Sequence, residues 1–185
     1  MGKLFVITGP SGAGKDSVIY KAKDLGLNFV QVITTSTREV RNGESEGHPY
    51  HFISVADFKK NIDAGDMIEW AQVYGNYYGS GKQEVDDKLK NHKVVVVKVD
   101  PQGARTFKRM RPDCVTIFIM PPSYEYLEKR LVNRETDTKE VIKQRLDTAK
   151  KELENLLDWD YLVVNEEGKL KDAAMEVKET IENNS

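Results

Sequence analysis

Apolar residues along this chain gather in short runs, and the stretches between them repeat apolar positions at helical spacing. Leu4-Phe5-Val6-Ile7 has the length of a strand, and residues 17–25 after it suit a helix. Residues 28–33 read as a short second strand. Val94-Val95-Val96-Val97-Lys98-Val99-Asp100 is the strongest strand signal, because a nearly continuous β-branched run suits a parallel strand covered on both faces. Residues 101–110 read as a helix, 115–120 as another buried strand, and Pro121-Pro122 ends it. Ser123 caps a helix reaching Val132, with Glu125 and Glu128 in its first turns. A long helix is expected from Thr138 to near Leu157, a last strand over 161–164, and a closing amphipathic helix over 170–181. Five strands alternating with helices predict an α/β fold with a five-stranded parallel doubly wound sheet and right-handed crossovers. Ligands then bind at the carboxyl ends of the strands, where Gly9, Thr34 and Asp100 fall.

Between residues 34 and 81 the pattern changes. Residues 34–47 open with four hydroxyls, carry Arg38 and Arg41, and offer little to a core, so they read as a positively charged loop. Tyr50, Phe52 and Ile53 restart a strand, and 55–64 reads as a helix with Val55, Phe58 and Ile62 on one face. Residues 67–74 alternate like a strand, which places Glu69 among apolar neighbours. Gly75-Asn76 turns the chain into 77–81. The segment 34–81 is therefore expected to be a small α+β lobe inserted between strands of the main sheet.

At 185 residues the chain suffices for one domain with a sizeable core. A net charge of −2 gives no global positive field for nucleic acid or an anionic membrane. No apolar run has the length of a bilayer span. The N-terminal apolar stretch leads into a glycine loop rather than a cleavage site, so a signal peptide is not expected. The single cysteine, Cys114, cannot form an internal disulfide and reads as a small core residue. These features predict a cytoplasmic protein with no nucleic-acid or membrane partner; a monomer or a homodimer is equally compatible with them.

The chemistry is concentrated in Gly9-Pro10-Ser11-Gly12-Ala13-Gly14-Lys15-Asp16-Ser17. It lies between the first strand and the first helix. Glycines there let successive backbone N–H groups converge on a phosphate, and the helix N-terminus adds partial positive charge. Lys15 then reaches the outer phosphates of a nucleoside triphosphate. Gly9, Ser11, Gly12, Ala13, Gly14, Lys15, Asp16 and Ser17 are the expected ATP contacts. After the lysine the motif places Ser or Thr, whose hydroxyl holds Mg²⁺; here that position is Asp16, and the hydroxyl comes one residue later at Ser17. Asp16 and Ser17 are thus the expected metal ligands.

Further along, Thr-Arg-x-x-Arg-x-Gly-Glu at 37–44, Tyr50-x-Phe52, Ile68-Glu69-Trp70-Ala71, Asn76-Tyr77-Tyr78-Gly79 and Asp100-x-Gln102-Gly103-Ala104 follow in order, with Arg130, Arg134 and Arg145 after them. In this series the chain resembles the guanylate kinases, P-loop NTPase-fold enzymes that pass the γ-phosphoryl of ATP to GMP. The resemblance runs from about residue 3 to about residue 182. It implies one guanylate-kinase-like domain: a core of 1–33, 82–132 and 139–185, a nucleoside-monophosphate lobe of 34–81, and a helical lid near 133–138. It implies that Arg38, Arg41, Tyr50 and Tyr78 hold the GMP phosphate, which two guanidinium forks and two phenols suit chemically. It implies that Glu69 accepts from guanine N1 and the exocyclic amine, with Thr34, Ser80 and Asp100 completing base recognition. Lys15, Arg38, Arg130, Arg134 and Arg145 would be the catalytic set, Asn165 would approach adenine, and Mg²⁺ would accompany ATP.

Simpler structural readings exist for these residues. Arg38 and Arg41 could be solvated loop residues, Glu69 could pair with a core arginine, and Arg130 and Arg134 could pair with Glu128 and Glu135 on the helix surface. Three positions depart from the family pattern: Asp16, Lys98 where an aspartate is usual, and Glu135 where the lid has glycine. Asp16 and Lys98 are expected within bridging distance, each offsetting the charge of the other, with helix capping as the alternative role for Asp16. The Gly-Lys-Asp-Ser loop also resembles the ribose 1,5-bisphosphate phosphokinases, and non-catalytic guanylate-kinase-like binding modules are a third class. Glu69, Ser80 and Asp100 favour a base-reading site over a sugar-phosphate site, and the intact Lys15 loop argues against a binding module.

Overall fold

The computed structural model describes residues 1–73, 75–132, 139–154 and 156–185, the side chain of Lys139 excepted. In chain order the strands and helices are β1 (Lys3–Thr8), α1 (Lys15–Asp24), β2 (Val30–Gln31), β3 (Thr34–Ser36), β4 (Tyr50–Phe52), α2 (Val55–Asp63), β5 (Met67–Val73) and β6 (Asn76–Gly81). They continue with α3 (Lys82–Asn91), β7 (Val94–Lys98), α4 (Pro101–Met110), β8 (Val115–Met120), α5 (Tyr124–Val132), α6 (Lys139–Leu153), β9 (Tyr161–Val164) and α7 (Leu170–Asn183).

Five strands form an all-parallel sheet in the order β2-β7-β1-β8-β9. The apolar runs seen in the sequence are its three inner strands, and their alternate side chains serve two separate cores. Phe5, Ile7, Val96, Ile117 and Ile119 pack with Val18 and Ile19 of α1 and Val177 and Ile181 of α7. Leu4, Val6, Val95, Val97 and Phe118 pack on the opposite face with Val85 of α3 and Phe107 of α4. Burial on both faces is why these strands are apolar throughout rather than alternating. Cys114 is buried in the second core, as its setting in the sequence suggested.

A second sheet, ordered β4-β3-β6-β5, is built from the 34–81 segment. Its β5–β6 hairpin turns at Gly75, whose φ of 84° is a left-handed conformation that glycine adopts without strain. The β5–β6 register shifts between Met67 and Glu69.

Several local expectations need correction. Residues 34–36 are a strand, not a loop, because Thr34 and its neighbours find ladder partners in β4 and β6 that are distant in sequence. The second strand of the main sheet contracts to Val30–Gln31. Only Phe58 of the expected α2 face is fully buried; Val55, at the first helical position, is 43% exposed. The long helix ends at Leu153, and a 3₁₀ turn over Leu156–Asp158 follows it. Among the described residues no helix is long and apolar enough to cross a membrane.

Candidate active site

Parallel topology brings the loop after β1, the end of β7 and the N-terminus of α4 to one edge of the main sheet. The second sheet faces this edge. Between them lies a cleft of about 1370 Å³, lined among others by Gly9, Ser11, Lys15, Asp16, Thr34, Arg38, Arg41, Tyr50, Glu69, Tyr78, Asp100 and Arg145. Gly9, Ser11, Lys15 and Asp16 of the expected ATP contacts and all the expected GMP contacts except Ser80 thus line one cavity; Gly12, Ala13, Gly14, Ser17 and Asn165 do not.

On the loop side, Gly9, Gly12 and Gly14 take φ values of 139°, 89° and 88°. A side chain at Gly14 would also collide with its surroundings, since a Cβ there would stand 2.4 Å from Asn165 Nδ2. Lys15 Nζ donates to the carbonyls of Gly9 (2.6 Å) and Pro10 (3.0 Å), so its ammonium lies beneath the loop. Desolvation, aided by the charge of Lys98, lowers its pKa to about 8. Arg145 Nη1 donates to Ser11 Oγ at 3.1 Å. Arg130 reaches the loop carbonyls of Gly12 and Ala13, both at 3.3 Å, and stacks over Tyr126. It therefore serves the loop, and the simpler alternative of a surface pair with Glu128 is not what forms. Asn165, expected near adenine, is 1% exposed and donates to Ala13 O at 2.8 Å, bracing the loop from the core side. Asp16 is exposed on the cleft wall and accepts from Lys98 Nζ, the contact expected from the two departures in the sequence. Ser17 is exposed on α1 outside the cleft lining. Arg134, Glu135 and the expected lid near 133–138 lie outside the described residues.

The second sheet supplies the opposite wall. Arg38 makes a two-pronged contact with Glu44, Nη1 to Oε2 at 2.7 Å and Nη2 to Oε1 at 2.6 Å. It also stacks near the rings of Tyr50 and Phe52. With 9% of its side chain exposed, it is not a solvated loop arginine. The guanidinium, followed by the Arg41 backbone N–H, holds the Glu44 carboxyl down at about 2. Tyr50 and Tyr78 meet edge-on with centroids 5.8 Å apart, and Thr34 stands opposite Tyr50 in the ladder.

Glu69 is 6% exposed and accepts from Ser80 Oγ at 2.8 Å. Among the described residues no arginine pairs with it. Desolvation, with a smaller push from Asp100, raises its pKa to about 7. Asp100 itself caps α4 by accepting from Gly103 N at 2.7 Å. Gly103 is needed where it is, because a Cβ there would stand 2.9 Å from Glu69 Oε2.

Two contributors were not singled out from the sequence. Glu44 stands within the 37–44 motif, but its grip on Arg38 follows only from the fold of the loop. Glu152 on α6 lines the cleft, its pKa raised to about 7 by desolvation against the opposing charge of Lys15. A lone acid in a helix rich in charge carries no signal that would have found it.

The model of the family described as guanylate kinase matches residues 1–184. A guanylate kinase of Syntrophotalea carbinolica is 44% identical over 166 residues, covering 90% of this chain and 79% of that protein. One from Fusobacterium nucleatum is 40% identical over 184 residues, covering 99% of this chain and 97% of that protein. The crystal structure of guanylate kinase from Anaplasma phagocytophilum superposes with a TM-score of 0.78 at 29% identity, over 98% of this chain and 85% of that one. A shikimate kinase from Acinetobacter baumannii, at 17% identity and a TM-score of 0.51 over 100% of this chain and 96% of that one, shares the fold alone. A match running nearly end to end, on a cleft with a phosphate loop at one side and a buried carboxylate at the other, places this chain in the guanylate kinase family, the kinases that phosphorylate GMP with ATP.

Proposed function

We propose that the cleft binds ATP along the loop after β1 and GMP against the second sheet, and transfers the γ-phosphoryl directly between them. The observation that carries this reading is Glu69: a buried carboxylate with one hydroxyl partner, opening into the same cavity as Lys15. Such a group accepts from guanine N1–H and the amine, and offers adenine no matching pair. Ser80 orients it, Asp100 and Thr34 flank the base, and Arg38, Arg41, Tyr50 and Tyr78 take the acceptor phosphate. Glu44 holds the Arg38 fork in position before substrate arrives.

The transfer needs no protein nucleophile. An oxygen of the acceptor phosphate forms the new P–O bond as the bond from the γ-phosphorus to its bridging oxygen breaks, and the β-phosphate leaves with the electron pair. Lys15 and the loop N–H groups hold the donor phosphates. Arg130 and Arg145, already at the loop, offset charge on the phosphoryl in flight. Arg134 belongs to the same proposed set.

The donor set also fits Mg²⁺. Asp16 presents one exposed, hard carboxylate oxygen on the cleft wall beside the loop, and Mg²⁺ commonly takes one or two carboxylates with phosphate and water. Asp16 would hold it, and the ion would supply charge neutralisation to the donor phosphates; Ser17, outside the cleft lining, is the weaker candidate. Cytoplasmic location and a monomeric or dimeric state belong to the same reading.

An ADP-release assay with ATP and, in turn, GMP, AMP, CMP, UMP and ribose 1,5-bisphosphate tests it. Turnover with GMP far above the others is expected. Preference for the sugar bisphosphate would replace the acceptor assignment, and no turnover with any acceptor would favour a binding module.

A further inference from the structure

Lys98 ends β7 opposite Ile7 of β1, beside the strand that feeds the phosphate loop. Its ammonium donates to Asp16 Oδ1, and Asp16 is its carboxylate partner among the described residues. The two ends of this pair differ in setting. The Lys98 side chain is 18% exposed and the Asp16 side chain 60%, so the cation lies inside the cleft and its partner at the rim.

The other neighbours of Lys98 belong to both substrate sites. Lys15, on the donor side, repels it, and Tyr50, on the acceptor side, lines the same cavity. Chain path explains why Tyr50 shares that cavity. β2 lies against β7, then runs on into β3, whose Thr34 pairs with Tyr50. The end of β7 is thereby brought under the wall that carries Arg38, Tyr50 and Tyr78, and all four line one cavity.

We propose that Lys98 is a ligand of the acceptor phosphate, held in reserve by Asp16. This rests on the acceptor reading given above. A nucleoside monophosphate brings a dianion into the cavity, against the single charge of Asp16. When Asp16 is engaged by the cation of the donor complex, Lys98 loses its partner while Lys15 continues to repel it. Its flexible four-carbon stem then lets the ammonium turn to the phosphate. Binding at the donor side would thus strengthen binding at the acceptor side, and by linkage the reverse.

Calorimetric titration of GMP, without metal or ATP, into wild type, D16N, K98M and the double variant tests this, with guanosine as the control lacking phosphate. Freeing Lys98 in D16N should tighten GMP binding about fivefold, the scale of a partly exposed charge pair, with guanosine affinity unchanged. The gain should vanish in D16N/K98M. Thermal melting checks that each variant folds, and D16S replaces D16N if it does not. Unchanged GMP affinity in both Asp16 variants, or a gain that survives in the K98M background, would overturn the role of Lys98 alone. Failure of the wild type to bind GMP would overturn the acceptor reading and this role with it.

Discussion

At the scale of single residues, the proposed selectivity rests on Glu69. Its carboxyl is desolvated in the free protein, raised to about 7, and held by one neutral hydroxyl. The deprotonated form is the one that accepts both guanine donors. In the free enzyme, which this ratio reports, kcat/KM for GMP should therefore rise on a limb near 7 as Glu69 loses its proton, and fall above about 8, where Lys15 loses its own. Glu69→Ala should lose on the order of 1.5–3 kcal/mol of GMP recognition, the range for hydrogen bonds to a charged group. It should also remove that limb of the pH profile. A steady-state profile for the two proteins checks both, and an alanine variant with wild-type kcat/KM would remove Glu69 from base recognition.

Among the elements, α4 carries an equally specific test. Its cap, Asp100, and its third residue, Gly103, both face Glu69. Replacing Gly103 by alanine would favour the helix by up to about 1 kcal/mol. The new Cβ would meet Glu69 Oε2 at 2.9 Å and press on Asp100 Oδ1 and Val99 Cβ, both at 3.2 Å, so the acid moves most and the strain at the cap and Val99 offsets the helix gain. Gly103→Ala should leave the melting temperature little changed while raising KM for GMP roughly tenfold or more, as misplaced binding groups do. Loss of stability with unchanged KM would mean that the backbone had yielded instead. The phosphate loop is held differently, from behind by Asn165 and from above by Arg130. Its shape is therefore a property of three elements and not of the glycines alone.

For the whole molecule, the two walls of the cleft come from different sheets, and about 1370 Å³ between them exceeds the usual size of a closed small-molecule site. Water at the γ-phosphoryl would compete with the acceptor, so kinases of this kind close before transfer. The 34–81 segment is expected to approach the α5–α6 side when both sites fill. X-ray scattering should record a smaller radius of gyration with GMP and a non-hydrolysable ATP analogue together than with neither. Identical curves would count against closure.

The five-stranded sheet, the phosphate loop and the order of the proposed acceptor residues were all present in the sequence, because each is encoded by neighbours. A loop glycine acts on its own φ, an apolar run declares a strand buried on both faces, and a motif keeps its spacing whatever surrounds it. Asp16 and Lys98, 82 residues apart, were legible as a pair only because both depart from the family pattern at one sheet edge. Other facts belong to the tertiary structure. Residues 34–36 became a strand through partners at 50–52 and 78–79 that no local window contains. Asn165 turned to Ala13 across 152 residues, and Glu152 reached the cleft because α6 lies against it. Such contacts depend on which side chains the packed elements turn toward one another, and on the water that packing removes. That same loss of water gives Glu69 its raised pKa, on which the proposed reading of the base depends.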